Sequence, residues 1–169
     1  VSHFVASTNL NQVVPEYLRT GTYSPKPSVA TLSNAMDVGN PSNFVRLAHL
    51  YDNDYDRISN NVSGYYYTDN ETQAGMKRIS SQYNYVACRQ TAIGVMGLQA
   101  YLAEKKQDAV GIALATAHPA KFKPLVEGVL GQSVEVPERL AMLSGRSKES
   151  IYIPARYEVF KESLLLTVL

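Results

Sequence analysis

Apolar and polar positions along the chain switch between two periods, short apolar runs of strand length and longer stretches in which apolar residues recur every three or four positions. Ser2 to Ala6 reads as a short strand, followed by a helix over about Leu10 to Leu18, with Ser7-Thr8-Asn9 supplying polar residues where that helix begins. Gly21 to Pro27 breaks regular structure. Ala30 to Val38 is expected as a short helix with Thr31, Asn34 and Asp37 on roughly one face. Pro41 then starts another helix, whose Phe44, Leu47, Ala48 and Tyr51 form an apolar stripe suited to core packing. Thr68-Asp69-Asn70-Glu71 matches a capping box, which predicts a helix from about Asp69 to Gln82. Tyr85 to Ala87 is a candidate strand, and Gln90 to Lys105 a long helix whose small residues permit close packing on a sheet.

The most informative stretch is Val110 to Phe122. Val110 to Ala115 has the length and continuity of a buried parallel strand, and it ends abruptly in Thr116-Ala117-His118-Pro119. Pro119 fits the first turn of a helix running through Phe122, Leu125, Val126 and Leu130. In open α/β sheets ligands sit beyond the carboxyl ends of strands, where the free amides of the next helix attract anions. Thr116 and His118 stand at such an edge. Downstream, Glu138 to Ser144 is a short helix, Ile151 to Pro154 is extended, and Ala155 to Val168 is a closing helix with Tyr157, Phe160, Leu164 and Leu165 facing the sheet. The fold class expected is α/β, a partial, open, mostly parallel sheet flanked by helices.

Composition narrows the function classes. With 169 residues and 45% hydrophobic content the chain can bury a core. A formal charge of +1, with both signs interspersed, offers no electrostatic footprint for nucleic acid or an anionic membrane. The apolar runs are too short to cross a bilayer. No signal-peptide pattern opens the chain, so a cytoplasmic location is expected. A single cysteine, Cys88, rules out an internal disulfide and reads as a buried small hydrophobe. Asp52, Asp54 and Asp56 have the opening spacing of a calcium loop, but Arg57 replaces its glycine and Ser63 its glutamate, so no metal is expected. The surrounding segment, about 45–84, reads as a small helical insertion.

Several blocks resemble the threonine synthase family in its order and at about its spacing. They are Phe4 to Asn11 with Val14-Pro15, Ala30-Thr31-Leu32-Ser33-Asn34-Ala35-Met36-Asp37-Val38, Pro41 to Phe44, and Thr116-Ala117-His118-Pro119-Ala120-Lys121-Phe122. The likeness covers nearly the whole chain, 1–169, but only the C-terminal portion of such an enzyme. It implies a pyridoxal phosphate (PLP) enzyme of fold type II that converts O-phosphohomoserine and water to L-threonine and phosphate. The Schiff-base lysine and the glycine-rich phosphate loop would lie upstream. No catalytic residue is therefore expected within the chain, and the fragment alone is expected to be inactive, with the missing N-terminal part of the same enzyme as its partner.

On this resemblance Thr116 contacts the cofactor ring nitrogen and Ala117 lies beside it, the alternative being that Thr116 merely caps the helix at Pro119. Asn9 and Asn11 either cap the first helix or face a ligand. Ser33, Asn34 and Asp37 fall on the substrate side by resemblance and on a solvated helix face by pattern alone. His118 is open to four roles, as acid, base, helix-start hydrogen bonder or substrate-side group. The family usually carries proline and histidine where this chain has Arg89 and Gln90. Two alternatives stay open, another PLP-dependent β-replacing enzyme of the same fold and a non-enzymatic α/β domain that binds an anion at the helix near Pro119.

Overall fold

The structure is a computed structural model that describes residues 1–106 and 109–168. Its sheet is small. Strands β1 (Phe4–Thr8) and β2 (Val62–Tyr66) pair in parallel, with Phe4 opposite Val62 and Thr8 opposite Tyr66. A parallel pair needs a crossover, and the chain between the strands provides helices α1 (Val13–Thr20), α2 (Phe44–Leu50) and α3 (Tyr55–Asn61). One face of the sheet presents Ala6 and Gly64 to α1, where a Cβ on Gly64 would stand 2.7 Å from the Pro15 Cα. The opposite face presents Val5 and Ser7 to α5 (Arg89–Lys105), where a Cβ on Gly97 would fall 1.9 Å from the Ser7 Oγ. Each glycine removes the atom that would hold helix and strand apart.

Two apolar clusters flank this sheet. On the α1 side Tyr17, Leu18, Ile58 and Val62 are buried, with the Tyr17 ring edge-on to Phe44 at 4.8 Å and to Tyr55 at 5.6 Å. On the other side α4 (Asp69–Tyr83), α5 and α6 (Lys123–Leu130) bury Met76, Ile79, Ala92 and Val126, the larger side chains contributing roughly 1.5–3 kcal/mol each. The predicted capping box is present. The Glu71 amide donates to the Thr68 hydroxyl at 3.3 Å and the Thr68 amide donates to the Glu71 carboxylate at 2.8 Å. The Thr68 hydroxyl, 2.7 Å from that carboxylate, and secondly the Thr68 amide hold the Glu71 carboxyl below its usual pKa.

The direction of α5 matters for the site. The His3 ring stacks on Tyr101 at 4.4 Å, whereas Ser7, later in β1, meets Gly97, earlier in α5. Helix and strand therefore run antiparallel, and α5 begins beyond the carboxyl end of β1.

Several expectations need correction. Residues 110–115 form no regular element and join no ladder among the described residues, and Val110, Ile112 and Leu114 are 95%, 77% and 76% exposed rather than buried. A run that reads as a central strand is buried only when strands flank it, and here a cavity separates it from β1. Instead of a helix over Ala30 to Val38 there is a single 3₁₀ turn, Asn34–Met36. The Asp37 carboxylate accepts the Thr31 amide at 3.0 Å, and such side-chain acceptors compete with a helical ladder. Tyr85 to Ala87 is irregular, not a strand. The helix after His118 is broken into a 3₁₀ turn, Pro119–Phe122, and then α6, because Pro124 has no N–H to bond back to the preceding turn. Within 45–84, β2 lies between helical stretches, so that segment contributes to the sheet as well as to the helical layer.

Residues Val136–Leu169 form a second compact unit, with helices α7 (Glu138–Ala141) and α8 (Tyr157–Val168). In it Tyr157, Phe160, Leu164 and Leu165, expected to face a sheet, are exposed.

Candidate functional site

Just past the end of β1 the chain makes an unusually dense polar network. Asn9 is 1% exposed, and its side-chain amide donates to the Asp37 carboxylate at 2.7 Å and to the Thr31 hydroxyl at 2.8 Å. Its carbonyl accepts both the backbone N–H of Asn11, at 2.9 Å, and the Asn11 side-chain amide, at 3.0 Å. Asn11 also clamps Val29, donating to its carbonyl at 2.9 Å and accepting its N–H at 2.8 Å. The Thr31 hydroxyl donates to Asp37 at 2.7 Å. Thus Asn9, Asn11 and Asp37 come together as the sequence reading grouped them, but they bond to one another and to the 29–37 loop. Their hydrogen-bonding capacity is largely used internally. Asn34 is exposed on the 3₁₀ turn, while the Ser33 side chain is fully buried with its hydroxyl unpartnered. The loop is further tied down by the Leu32 amide, which donates to the Asp69 carboxylate at 3.1 Å.

Beside this network lies a cavity of about 830 Å³ between β1, the face of α5 and the irregular 109–116 segment. Gln90, Gly94 and Leu98 line its α5 wall, Ala35 and Met36 approach from the loop, and Ser7 and Thr116 contribute hydroxyls. The Thr116 side chain is exposed and makes no hydrogen bond with a described residue, so it does not cap the following turn. That cap is His118, whose Nδ1 accepts the Ala120 N–H at 3.2 Å. Of the four roles open to His118, the structure displays the helix-start hydrogen bonder. Ala117 forms the half-buried bend between them.

Two residues at the start of α5 have an environment that pattern reading did not single out as a site. Arg89 is 4% exposed, with its guanidinium 4.8 Å from the centre of the Phe122 ring. It forms no hydrogen bond or ion pair with any described residue, and its Nε is buried without a partner. Burial pulls its pKa below the ordinary arginine value, and Cys88, Asp69 and Asp37 offset only part of that effect. Both polar atoms of the Gln90 amide are likewise buried and unpartnered. The available signal was their departure from the family pattern at this position.

Among known proteins, the model of the family described as "Threonine synthase, C-terminal" matches residues 91–163. A threonine synthase of Haemophilus influenzae is 42% identical over 140 residues, covering 83% of this chain and 32% of the relative. The crystal structure of threonine synthase from Escherichia coli superposes with a TM-score of 0.79 at 32% identity, over 99% of this chain and 38% of that one. A PLP-bound threonine synthase from Brucella melitensis shares the fold, with a TM-score of 0.74 at 24% identity over 97% of this chain and 40% of the other. The chain thus spans about a third of the length of the curated relative and of the Escherichia coli structure. Blocks spread along the sequence, the family's C-terminal model and a backbone matched nearly end to end agree, and the chain belongs to the threonine synthase family as a C-terminal portion of it.

Proposed function

We propose that, joined to the upstream part of the enzyme, this chain forms one wall of a PLP site, and that the intact protein converts O-phosphohomoserine and water to L-threonine and phosphate. Family membership together with the free Thr116 hydroxyl on the cavity rim carries this reading. The cavity suits a flat heteroaromatic ring, since most of its lining is apolar and Thr116 offers an unengaged hydroxyl. PLP, when bound, supplies an electron sink that the protein tunes through the group at its ring nitrogen.

Thr116 is the residue proposed there. A hydroxyl hydrogen-bonds that nitrogen without compelling its protonation as a carboxylate does. Ala117 brings backbone alongside. Asn9, Asn11 and Asp37 hold the 29–37 loop, and with it Ser33, Asn34 and Met36, in place on the substrate side. His118 fixes the turn that presents Thr116. Residues 1–169 are proposed to act as one C-terminal portion of the enzyme. Among the described residues no helix is long and apolar enough to cross a membrane.

The direct test is turnover of the full-length protein with PLP on O-phosphohomoserine and on O-substituted serines. Stoichiometric release of threonine and phosphate from the first alone is expected. Preference for the serine derivatives would assign the chain to a different β-replacing enzyme of this fold.

A further inference from the structure

Buried polar side-chain atoms in folded proteins nearly always have partners, so the exceptions mark where something else binds. Among the described residues the exceptions are Ser7 Oγ, Ser33 Oγ, Arg89 Nε and both polar atoms of the Gln90 amide. Two of these four residues are the first two of α5. This 17-residue helix begins beyond the carboxyl end of β1, and its N-cap, Cys88, makes no side-chain cap bond. The N–H groups of its first turn therefore lack the partner that a capping side chain supplies, and the positive end of the helix dipole lies there.

Arg89 adds a full charge at the same place. Its buried Nε has no acceptor among the described residues, and an unpaired buried donor of a charged group costs more than a neutral one unless an acceptor arrives. The two described carboxylates that act on Arg89 electrostatically do not serve. Asp37 and Asp69 attract Arg89 at longer range, yet neither comes within ion-pair distance. The Asp37 oxygens already accept from Asn9, Asn11 and Thr31, and those of Asp69 from Leu32. The chain from Thr116 to Phe122 passes across this end of α5, Thr116 sharing the cavity with Gln90 and Phe122 supporting the guanidinium.

We propose that the start of α5, with Arg89 and Gln90 as its side-chain ligands, is an oxyanion subsite of the intact enzyme that takes the phosphate monoester group of the substrate. A forked guanidinium, a side-chain amide and first-turn N–H groups match the several oxygens of a phosphate better than a single cation would. The identity of the substrate rests on the function proposed above, whereas the anion site itself does not.

The experiment compares the full-length holoenzyme with its Arg89→Met, Arg89→Lys and Gln90→Leu variants. Binding of inorganic phosphate is measured by calorimetry, alongside KM for O-phosphohomoserine, the Kd for PLP and thermal unfolding. Arg89→Met keeps an apolar stem over Phe122 and is expected to weaken phosphate binding by about tenfold or more, raise KM by a similar factor and leave the PLP Kd unchanged. Arg89→Lys should recover part of the loss. If Arg89→Met does not fold, Gln90→Leu and Arg89→Lys must each weaken phosphate binding for the subsite to stand. Unchanged phosphate binding in the folded variants overturns the proposal, and so does weaker PLP binding at constant KM, which would assign the arginine to the cofactor's phosphate. Phosphate binding that depends on Arg89 in a protein that does not turn over O-phosphohomoserine would uphold the anion site and overturn the proposed reaction instead.

Discussion

Two polar regions share the carboxyl edge of the small sheet, and they differ in one respect. Around Asn9 and Asp37 nearly every donor and acceptor is matched inside the chain, with bonds of 2.7–3.0 Å closing on themselves. At the start of α5 and across the cavity, the Ser7 hydroxyl, the Arg89 Nε and the Gln90 amide have no partner among the described residues, whereas in the first region the buried exception is the Ser33 hydroxyl. A matched buried network fixes one conformation, whereas an unmatched group carries a desolvation cost that a ligand or a neighbouring segment can relieve. The first region accordingly reads as the frame of the site, and the second as the surface that meets something outside this chain.

The sharpest way to break this division is Asn9→Leu in the full-length enzyme. The substitution leaves the Thr31 hydroxyl, the Asp37 carboxylate and two donors of Asn11 each short of a partner. A loss of about 3–4 kcal/mol is expected, read as a lower denaturant midpoint, with KM little changed in whatever fraction stays folded. A variant of normal stability that no longer binds substrate would place Asn9 against the ligand and erase the distinction.

Thr116→Val probes the other region. Its side chain is exposed and makes no hydrogen bond with a described residue, so stability should hold within about 0.5 kcal/mol. Turnover should fall by about 10–100-fold, and the absorbance of bound PLP should shift as the ring nitrogen loses its hydroxyl partner. Unchanged spectrum and turnover would remove Thr116 from the cofactor site.

What could be read from the sequence followed the reach of the interactions involved. The capping box at Thr68 and Glu71, the long α5 and the Pro119 turn depend on residues a few positions apart, and each was visible as a local pattern. The loop over 30–38 was not, because the Thr31 and Asp37 that replace its helical ladder are held by Asn9 and Asn11 from more than 15 residues away. The same limit hid the exposure of Val110, Ile112 and Leu114, since a run of apolar residues records a tendency to be buried but not which strands will cover it. Arg89 escaped for a related reason. A charged residue at a helix start is ordinary in sequence, and only the fold shows that Arg89 is buried with its Nε unpartnered among the described residues.

The smallest effect sharpens the comparison from the amino end of β1. His3 lies there half-buried, stacked on Tyr101, with its Nε2 2.9 Å from the Ser63 hydroxyl. Like Asn9 it has partners, so it should act on stability and not on turnover. Burial, and secondly the positive charge of Lys105, lower its pKa below the usual histidine value. The native state thus disfavours the protonated ring. Above the unfolded-state pKa, near 6.5, both states are neutral and the group is silent about pH. As pH falls below that value the unfolded chain takes up the proton first, so the stabilising contribution is lost between there and the lower folded-state pKa. Thermal unfolding of the parent should therefore weaken more steeply below pH 6.5 than that of His3→Gln, whose amide keeps a hydrogen-bonding group near Ser63 but does not titrate. Parallel pH profiles for the two proteins would show that the His3 environment is not retained in the intact enzyme, whereas a change in turnover without a change in stability would move this partnered group to the functional side of the division.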